Sequence, residues 1–232
     1  MSYNGKDLPR VAVIIPCYNH EKYVYQALES IREQTYEPTV VVAIDDGSTD
    51  NSLKILDSYD MPIVVLHNDS PTGPSAARNK AIAYVWEQVD CFCMLDADDL
   101  YAPTKIEKSV VEIMKDSRIG IVYSDAVIMN EKLGTKIREY REPYSRTRLM
   151  QECIISNTPM ISKLALQTSG CYDEGMRTAE DWDLWLRITK NFIAVHIPEA
   201  LHYYRVTGQN SSDVVPHEIW MKNWELIRQR HQ

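Results

Sequence analysis

Three acidic residues within four positions are the clearest candidates for chemistry in the sequence. Asp96, Asp98 and Asp99 follow directly after the apolar run 91–95, which is typical of a buried strand. Open α/β sheets bind ligands just outside the carboxyl ends of their strands, so we expect these carboxylates at such a site. Close anions repel unless a cation neutralises them, and Mg²⁺ and Mn²⁺ prefer carboxylate and phosphate oxygens. The stretch therefore indicates a metal–diphosphate site, with a solvated acidic loop as the alternative.

Candidate ligand-binding side chains also follow the first two strand-like runs. Tyr18 comes just after the apolar run 11–15, and the run 39–44 ends in Asp45 and Asp46. An aromatic face can stack on a nucleobase, and a carboxylate can accept hydrogen bonds from a base or a ribose hydroxyl. Tyr18 could equally pack within a loop, and the two acids could shape a turn before a helix. No G-x-G-x-x-G follows the first run, so the dinucleotide-binding fingerprint is absent.

Two further segments carry charged side chains where a helix is expected to begin. Arg78 lies in the stretch 73–79, where backbone amides and the helix dipole attract anions and a guanidinium matches a phosphate. Asp181 stands between a second acid and an indole, which give its carboxylate reasons for a raised pKa and for general-base chemistry. An ordinary surface arginine and helix acids favoured by the dipole are the alternatives. The nearby Asp183 keeps the choice of base open.

A histidine near the end of the chain is a candidate metal ligand. His202 precedes Arg205 and the polar segment 208–213, which we expect to be a flexible loop. Histidine and arginine beside such a loop could complete a metal or phosphate site when the loop closes. The alternative is a structural histidine, the commoner role for a single one.

The elements that must position these residues alternate between strands and helices in the first half of the chain. Apolar runs at 11–15, 39–44, 63–66 and 91–95 predict strands, and the segments between them have helical periodicity. This order predicts an α/β fold with a mostly parallel central sheet, right-handed crossovers and flanking helices.

The pattern changes after residue 100. A hairpin at 126–130 and 135–140 predicts a small antiparallel element in the second half of the chain. Further helices are expected at 104–114, 146–155, 180–190 and 218–230, and further strands at 119–123, 193–197 and 200–206. The segment 157–163 fits neither pattern.

Composition limits the class of protein. The 232 residues carry a formal charge of −8, which argues against a nucleic-acid partner but not against a nucleotide whose charge a metal balances. The five cysteines form no C-x-x-C pair, so we expect a reducing compartment and no disulfide framework. The segment 1–10 lacks a signal-peptide pattern, and no apolar run approaches the roughly 20 residues that span a bilayer. We therefore expect a soluble, cytoplasmic protein.

The last helix has one apolar side with basic residues nearby. Trp220, Trp224 and Ile227 align at helical spacing. Such a stripe usually packs on its own domain or on a partner subunit, and it can also lie on a membrane surface. Peripheral contact with the inner face of the membrane and oligomerisation both remain open.

Five motifs in order make the chain resemble the family 2 inverting glycosyltransferases of GT-A fold. The matching elements are Val-Ile-Ile-Pro-Cys-Tyr-Asn at 13–19, Asp-Asp-Gly-Ser at 45–48, Ser-Ala-Ala-Arg-Asn at 75–79, Leu-Asp-Ala-Asp-Asp at 95–99 and Glu-Asp-Trp-Asp-Leu-Trp-Leu-Arg at 180–187. The resemblance implies a single GT-A (Rossmann-like) domain over 1–215, with a nucleotide-sugar-binding half at 9–100 and an acceptor-binding half at 101–215. The segment 216–232 would then be a separate C-terminal helix.

The resemblance also implies a role for each matching residue. At the donor, Pro16, Tyr18 and Asp46 would contact the nucleobase, Arg78 the nucleotide, and Asp96 the ribose or sugar. Asp98 would bind Mn²⁺ or Mg²⁺. Asp181 would be the catalytic base that acts on the acceptor. Asp99 would only cap the helix that begins near Pro103. The implied activity is transfer of a sugar from a nucleoside-diphosphate donor, UDP-linked, to a hydroxyl of a carbohydrate or lipid-linked acceptor, in surface polysaccharide, glycan or glycolipid synthesis. The Gln-x-x-Arg-Trp signature of processive synthases is absent, which favours transfer of a single sugar.

Two other classes of protein remain as alternatives. A sugar nucleotidyltransferase would need a glycine-rich basic loop after the first strand, where this chain has Pro-Cys-Tyr-Asn. A non-catalytic nucleotide-sugar-binding protein would have no use for Asp181 as a base.

Overall fold

A computed structural model describes residues 2–3 and 6–231, with side chains from 7 to 231. Positions 1 and 232, the outer limits of the predicted domain division, lie outside these residues. In chain order, the strands are β1 (Ser2–Tyr3), β2 (Lys6–Asp7), β3 (Val11–Cys17), β4 (Val40–Asp45), β5 (Val64–His67), β6 (Cys91–Met94), β7 (Leu100–Tyr101), β8 (Ile119–Asn130), β9 (Thr135–Glu139), β10 (Met160–Ser162) and β11 (Ile193–Val206). The helices are α1 (Val24–Arg32), α2 (Ser52–Asp57), α3 (Pro74–Val85), α4 (Lys105–Ile113), α5 (Arg146–Gln151), α6 (Lys163–Ser169), α7 (Glu180–Ile188), α8 (Ser211–Val214) and α9 (His217–His231).

One nine-stranded sheet runs through the domain in the order β5-β4-β3-β6-β10-β8-β11-β7, with β9 paired to β8. The strands β3, β4, β5 and β6 pair in parallel, as do β8 and β11. Because β10 lies antiparallel between β6 and β8, those two strands point the same way. The strands β7, β9 and β10 run against this direction. The predicted mostly parallel sheet with a small antiparallel element is therefore confirmed.

Helices cover both faces of the sheet, as expected for strands that are apolar on both sides. Alternate residues of β3 face opposite cores: Ala12 and Ile14 pack with α3, α6 and α7, while Val13 and Ile15 pack with α1 and α4. This alternation follows from the two-residue period of a strand. The cores hold the strand ends, and so the loops that follow them, in fixed positions.

The second half of the chain differs most from the sequence-based expectation. The predicted strand 119–123 continues without a break into the first strand of the hairpin, so β8 has 12 residues. The two strands expected at 193–197 and 200–206 form one strand, β11, with register shifts near Ala200. The unassigned segment 157–163 contains β10, which bridges the two parallel parts of the sheet. Pairing between distant strands decides these three features, and a local pattern does not contain it.

Helix α9 packs on its own domain. Ile227 is buried in the core that contains α7. Asn223 Nδ2 donates to the Thr178 carbonyl at 3.0 Å, and an ion pair of 2.7 Å joins Arg230 to Asp173. None of the described helices is long and apolar enough to cross a membrane. Contact of α9 with a membrane surface stays a prediction.

Candidate active site

The three acids of the sequence 95–99 lie in the turn between β6 and β7, at the carboxyl end of the parallel strands. The Asp99 N–H donates to the Asp96 carbonyl at 3.0 Å and closes this turn. The strands β3 and β4 end beside it, at Cys17 and Asp45. The loops that follow all three strands therefore meet at one edge of the sheet, as the sequence predicts.

Arg78 connects the two halves of the domain at this edge. Its Nη2 donates to Asp96 Oδ1 at 2.7 Å, and its Nη1 donates to Glu180 Oε1 at 2.8 Å. The guanidinium is buried, and its Cζ lies 5.3 Å from the centre of the Tyr172 ring. A buried charge needs partners to offset its loss of hydration, and two carboxylates supply them at this position. Because Arg78 belongs to α3 and Glu180 to α7, this contact brings the start of α7 to the end of β6.

Asp181 lies in the first turn of α7, next to the residue that pairs with Arg78. Burial and the negative charge of Glu180 raise the pKa of Asp181 to about 7. Its Oδ1 accepts a hydrogen bond from the Trp182 N–H at 2.7 Å. A carboxylate whose pKa lies near neutral pH is well suited to take a proton from a hydroxyl. The residue before Glu180, Ala179, adopts a left-handed backbone with φ of 57°, a strain that often accompanies functional sites.

The acids at 96–99 lie close enough together for their negative charges to disfavour one another. Asp98 and Asp99 are both buried, and burial together with the charge of neighbouring carboxylates raises the pKa of each. Asn157 Nδ2 donates to Asp96 Oδ2 at 2.9 Å, and Asn210 Nδ2 reaches Asp98 Oδ2 only at 3.4 Å. A site of this kind is stabilised by a cation.

These carboxylates fit a divalent cation that a substrate helps to hold. Among residues 7–231, no group of three His, Cys, Asp or Glu side chains is placed to hold a metal by itself. Mg²⁺ usually takes only one or two protein carboxylates and completes its shell with phosphate oxygens and water. Asp98, whose Oδ2 has a single long hydrogen bond, is the side chain best placed to contribute.

Arg205 organises the acidic turn, a role that its place in the sequence did not reveal. Its backbone N–H donates to Asp99 Oδ1 at 2.9 Å, and its Nε donates to the Asp98 carbonyl at 2.8 Å. The guanidinium also pairs with Glu131 and donates to Gln26 of α1. Asp99 is therefore an acceptor for β11, and the expectation that it caps the helix near Pro103 is wrong. Arg205 stood beside His202 in the sequence, but only the register of β11 shows which of the two reaches the acids.

The nucleobase residues expected from the sequence lie at the ends of β3 and β4. Both carboxylate oxygens of Asp46 accept hydrogen bonds from the loop between β5 and α3, at 2.7 Å from Asn68 Nδ2 and at 2.8 Å from the Gly73 N–H. Asp46 thus holds the loop that leads into α3. Pro16 is half-buried within β3, and Tyr18 has 45% of its surface exposed, so its ring is free to contact a ligand.

His202 lies on β11 in surroundings that differ from those of Asp98. It is buried, and burial together with the positive charges of Lys105 and Arg141 lowers its pKa well below the usual value. Its Nδ1 has no hydrogen-bond partner among the described residues. The charges that act on Asp98 come from His20, Asp96 and Arg205. The structure thus brings Asp96, Arg78 and Asp181 together, and the role of His202 as a metal ligand stays a prediction.

Comparisons with known proteins identify the family of the chain. The family described as Glycosyl transferase family 2 matches residues 12–169, and the chain belongs to it. An uncharacterized glycosyltransferase of Haemophilus influenzae is 28% identical over 230 residues, covering 92% of this chain and 70% of its own. Chondroitin synthase of Escherichia coli is 28% identical over 215 residues, 89% of this chain but only 30% of its own. The resemblance drawn from five motifs is thereby confirmed.

Solved structures share the fold. TarS residues 1–349 of S. aureus, in complex with UDP-GlcNAc, superpose with a TM-score of 0.78 at 20% identity, covering 94% of this chain and 66% of that one. A mannosyltransferase of Pyrobaculum calidifontis, in complex with GDP-Man and Mn²⁺, gives a TM-score of 0.68 at 18% identity, covering 97% and 62%. The predicted GT-A fold is confirmed. This chain spans less than two thirds of the chondroitin synthase and slightly less than two thirds of both structural neighbours.

Proposed function

We propose that this protein is a metal-dependent inverting glycosyltransferase that moves one sugar from a UDP-linked donor to an acceptor hydroxyl. The acceptor would be a carbohydrate or a lipid-linked glycan in the synthesis of a surface polysaccharide or glycolipid. The observation that carries the proposal is the pair of bonds from Arg78 to Asp96 and Glu180, which places Asp181 close to the acidic turn. A base and a cation-binding turn at one site are what sugar transfer from a nucleoside diphosphate requires.

In this mechanism Asp181 acts on the acceptor. Its carboxylate takes the proton of the acceptor hydroxyl as the oxygen attacks the anomeric carbon, on the face opposite the diphosphate. Attack from that face inverts the configuration at the anomeric carbon. The raised pKa of Asp181 makes it a stronger base than an exposed carboxylate, while leaving it ionised in a useful fraction of molecules near neutral pH.

The donor is held by the first half of the domain. In the proposal, Tyr18 contacts the nucleobase, Arg78 contacts the nucleotide, and Asp96 binds the ribose or sugar; the exposed Tyr18 ring and the bond between Arg78 and Asp96 support these roles. Asp98 would hold Mn²⁺ or Mg²⁺, which when bound offsets the negative charge of the departing diphosphate. Support for a divalent metal comes from the Mn²⁺ in the mannosyltransferase complex, and support for UDP from the TarS complex.

A thermal-shift experiment with nucleotides tests the proposal. A ligand that binds only the folded protein raises its melting temperature, so UDP with Mn²⁺ should stabilise the wild type and GDP should stabilise it less. Chelation of Mn²⁺ or the change Asp98→Ala should reduce the shift.

The variant Asp181→Asn separates binding from catalysis. We expect it to keep the UDP shift and to lose sugar transfer, since an amide cannot accept the proton. Equal UDP stabilisation with and without Mn²⁺ in the wild type would remove the metal from the proposal. Unimpaired transfer by Asp181→Asn would remove the base.

A further inference from the structure

A cleft outside the acidic turn lies between β8, β9 and β11. It has a volume of about 680 Å³, which is within the usual range for a small-molecule site. Two arginines, a histidine and two tyrosines line it, together with further residues of β11: Arg138, Arg141, His196, Tyr140 and Tyr144. The cleft is therefore aromatic and cationic, unlike the acidic turn.

Arg141 has donor capacity that the described residues do not use. Its Nη2 donates to Glu139 Oε2 at 2.8 Å, but its Nε is buried and has no hydrogen-bond partner among them. A buried donor without an acceptor destabilises the fold, so the contacts that the described residues give Arg141 are incomplete. Glu139 is one third exposed, so water screens its attraction for Arg141. The Arg141 side chain is 24% exposed, so an anionic ligand in the cleft could bind the outer nitrogens of the guanidinium, while the buried Nε stays out of its reach.

The carboxylate in the cleft, Asp125, uses both of its oxygens on donors of the cleft itself. Oδ1 accepts from the Arg141 backbone N–H at 2.9 Å and lies 2.8 Å from His196 Nε2, and Oδ2 accepts from Arg138 Nη2 at 2.9 Å. Burial alone would raise the pKa of Asp125, but these bonds lower it, so the group is an anion at neutral pH. Asp125 thereby fixes the positions of Arg138 and His196. The Cζ of Arg138 also lies 4.6 Å from the centre of the Tyr140 ring.

The cleft is connected to the segment that carries the proposed base. Tyr144, which lines the cleft, lies just before α5, and the Leu149 carbonyl of α5 accepts a hydrogen bond from Trp182 Nε1 at 2.6 Å. Trp182 directly follows Asp181 in α7. An acceptor whose hydroxyl reaches Asp181 could therefore extend along α5 towards Arg141.

We propose that this cleft binds the acceptor and that Arg141, with Arg138, binds a carboxylate or phosphate group that the acceptor carries. The inference rests on the proposed function, because it assigns the acceptor of the same reaction. A guanidinium binds either anion through two parallel hydrogen bonds, and such charge-assisted bonds are stronger than those to a neutral hydroxyl. The acceptor would then be an acidic glycan or a phosphate-bearing one.

Titration by saturation-transfer NMR with three small probes tests this inference. Methyl β-glucuronide carries a carboxylate, glucose 6-phosphate carries a phosphate, and methyl β-glucoside is neutral. The protein is first saturated with UDP and Mg²⁺, so that phosphate cannot bind at the donor site; Mg²⁺ replaces Mn²⁺ because a paramagnetic ion would broaden the probe signals. We expect at least one anionic probe to bind about tenfold more tightly than the neutral probe. Preference for only the glucuronide or only the phosphate would identify which anion the cleft takes.

Three variants show whether the preference arises in the cleft. Arg141→Gln should abolish it and Arg141→Lys should retain part of it, since lysine keeps the charge but not the fork. Arg118→Gln removes an equal charge from an exposed arginine before β8 and should leave the preference intact. Melting temperatures check that each variant is folded. Equal affinity for all three probes, or an unchanged preference in Arg141→Gln, would overturn the inference.

The test separates this inference from the proposed function. Failure of UDP to bind the wild type contradicts the proposed function, and the probes are then titrated without nucleotide. Normal UDP binding without any preference for an anionic probe contradicts only the assignment of the cleft.

Discussion

At the scale of single residues, the site depends on charges that are buried next to one another. Asp181 suits the proposed role of base because partial burial and the charge of Glu180, in the same helix turn, raise its pKa to about 7. Arg78 partly offsets this effect, since its positive charge favours the ionised form of Asp181. The pKa of the base thus reflects a balance between burial, one neighbouring anion and one neighbouring cation.

The change Glu180→Gln tests this balance through the pH dependence of transfer. Because the base must be deprotonated, kcat/KM of the wild type should rise with pH through about 7. Removing the charge of Glu180 lowers the pKa of Asp181, so the rising limb should move to lower pH. The measurement is a pH profile of kcat/KM for both proteins, with Glu174→Gln as an exposed control. An unmoved limb would mean that another group titrates.

At the scale of elements, the site is assembled by contacts between segments that are far apart in sequence. Helix α7 carries the base, and α9 packs against the same core through Ile227. The hydrogen bond of Asn223 to Thr178 and the ion pair of Arg230 with Asp173 fix the orientation of α9 on the domain. We therefore regard α9 as a support for α7 and not only as a surface helix.

Shortening the buried side chain of α9 tests that support. Ile227→Ala should lower the free energy of unfolding by about 2–5 kcal/mol, because the side chain is almost fully buried and leaves a cavity. Met221→Ala, on the same helix, removes a side chain that is 45% exposed and should cost much less. Urea denaturation gives both values. Equal losses for the two variants would mean that α9 is not anchored through Ile227.

At the scale of the whole molecule, the raised pKa of Asp181 lowers the stability of the fold at neutral and alkaline pH. The folded state prefers protonated Asp181, whereas the unfolded chain ionises it at its ordinary pKa near 4. Between pH 4 and about 7 the folded state therefore binds more protons than the unfolded state, and this contribution to stability is lost as the pH rises. Above pH 7 the full penalty applies.

Asp181→Asn should consequently stabilise the protein in alkaline buffer while it abolishes transfer. The amide keeps an oxygen for the Trp182 N–H and removes the buried charge. We expect a gain on the order of 1–3 kcal/mol at pH 8, and a smaller gain at pH 5, where Asp181 of the wild type is already protonated. Denaturant unfolding at the two pH values measures the difference. A gain that did not depend on pH would contradict the linkage.

The sequence alone determined the parallel α/β architecture of the first half and most of the site. The apolar runs that lead to Tyr18, Asp46 and Asp96 predict strands, and parallel strands must present their carboxyl ends at one edge. The local sequence pattern was sufficient for these three residues because each directly follows the strand that positions it. The family resemblance then supplied roles for Arg78 and Asp181 that spacing left open.

Only the tertiary structure decided how the second half completes the site. The ion pairs of Arg78, the contact of Arg205 with the acidic turn, and the donor from Asn157 all join residues from distant parts of the chain. The sequence predicts a helix cap at Asp99 because the true partner of its side chain, the Arg205 backbone N–H, lies 106 residues further along the chain. The Arg138–Arg141 cleft arises in the same way, since the register of β8, β9 and β11 brings its side chains together. Strand pairing over such distances is set by the packing of the whole sheet, which no short pattern encodes.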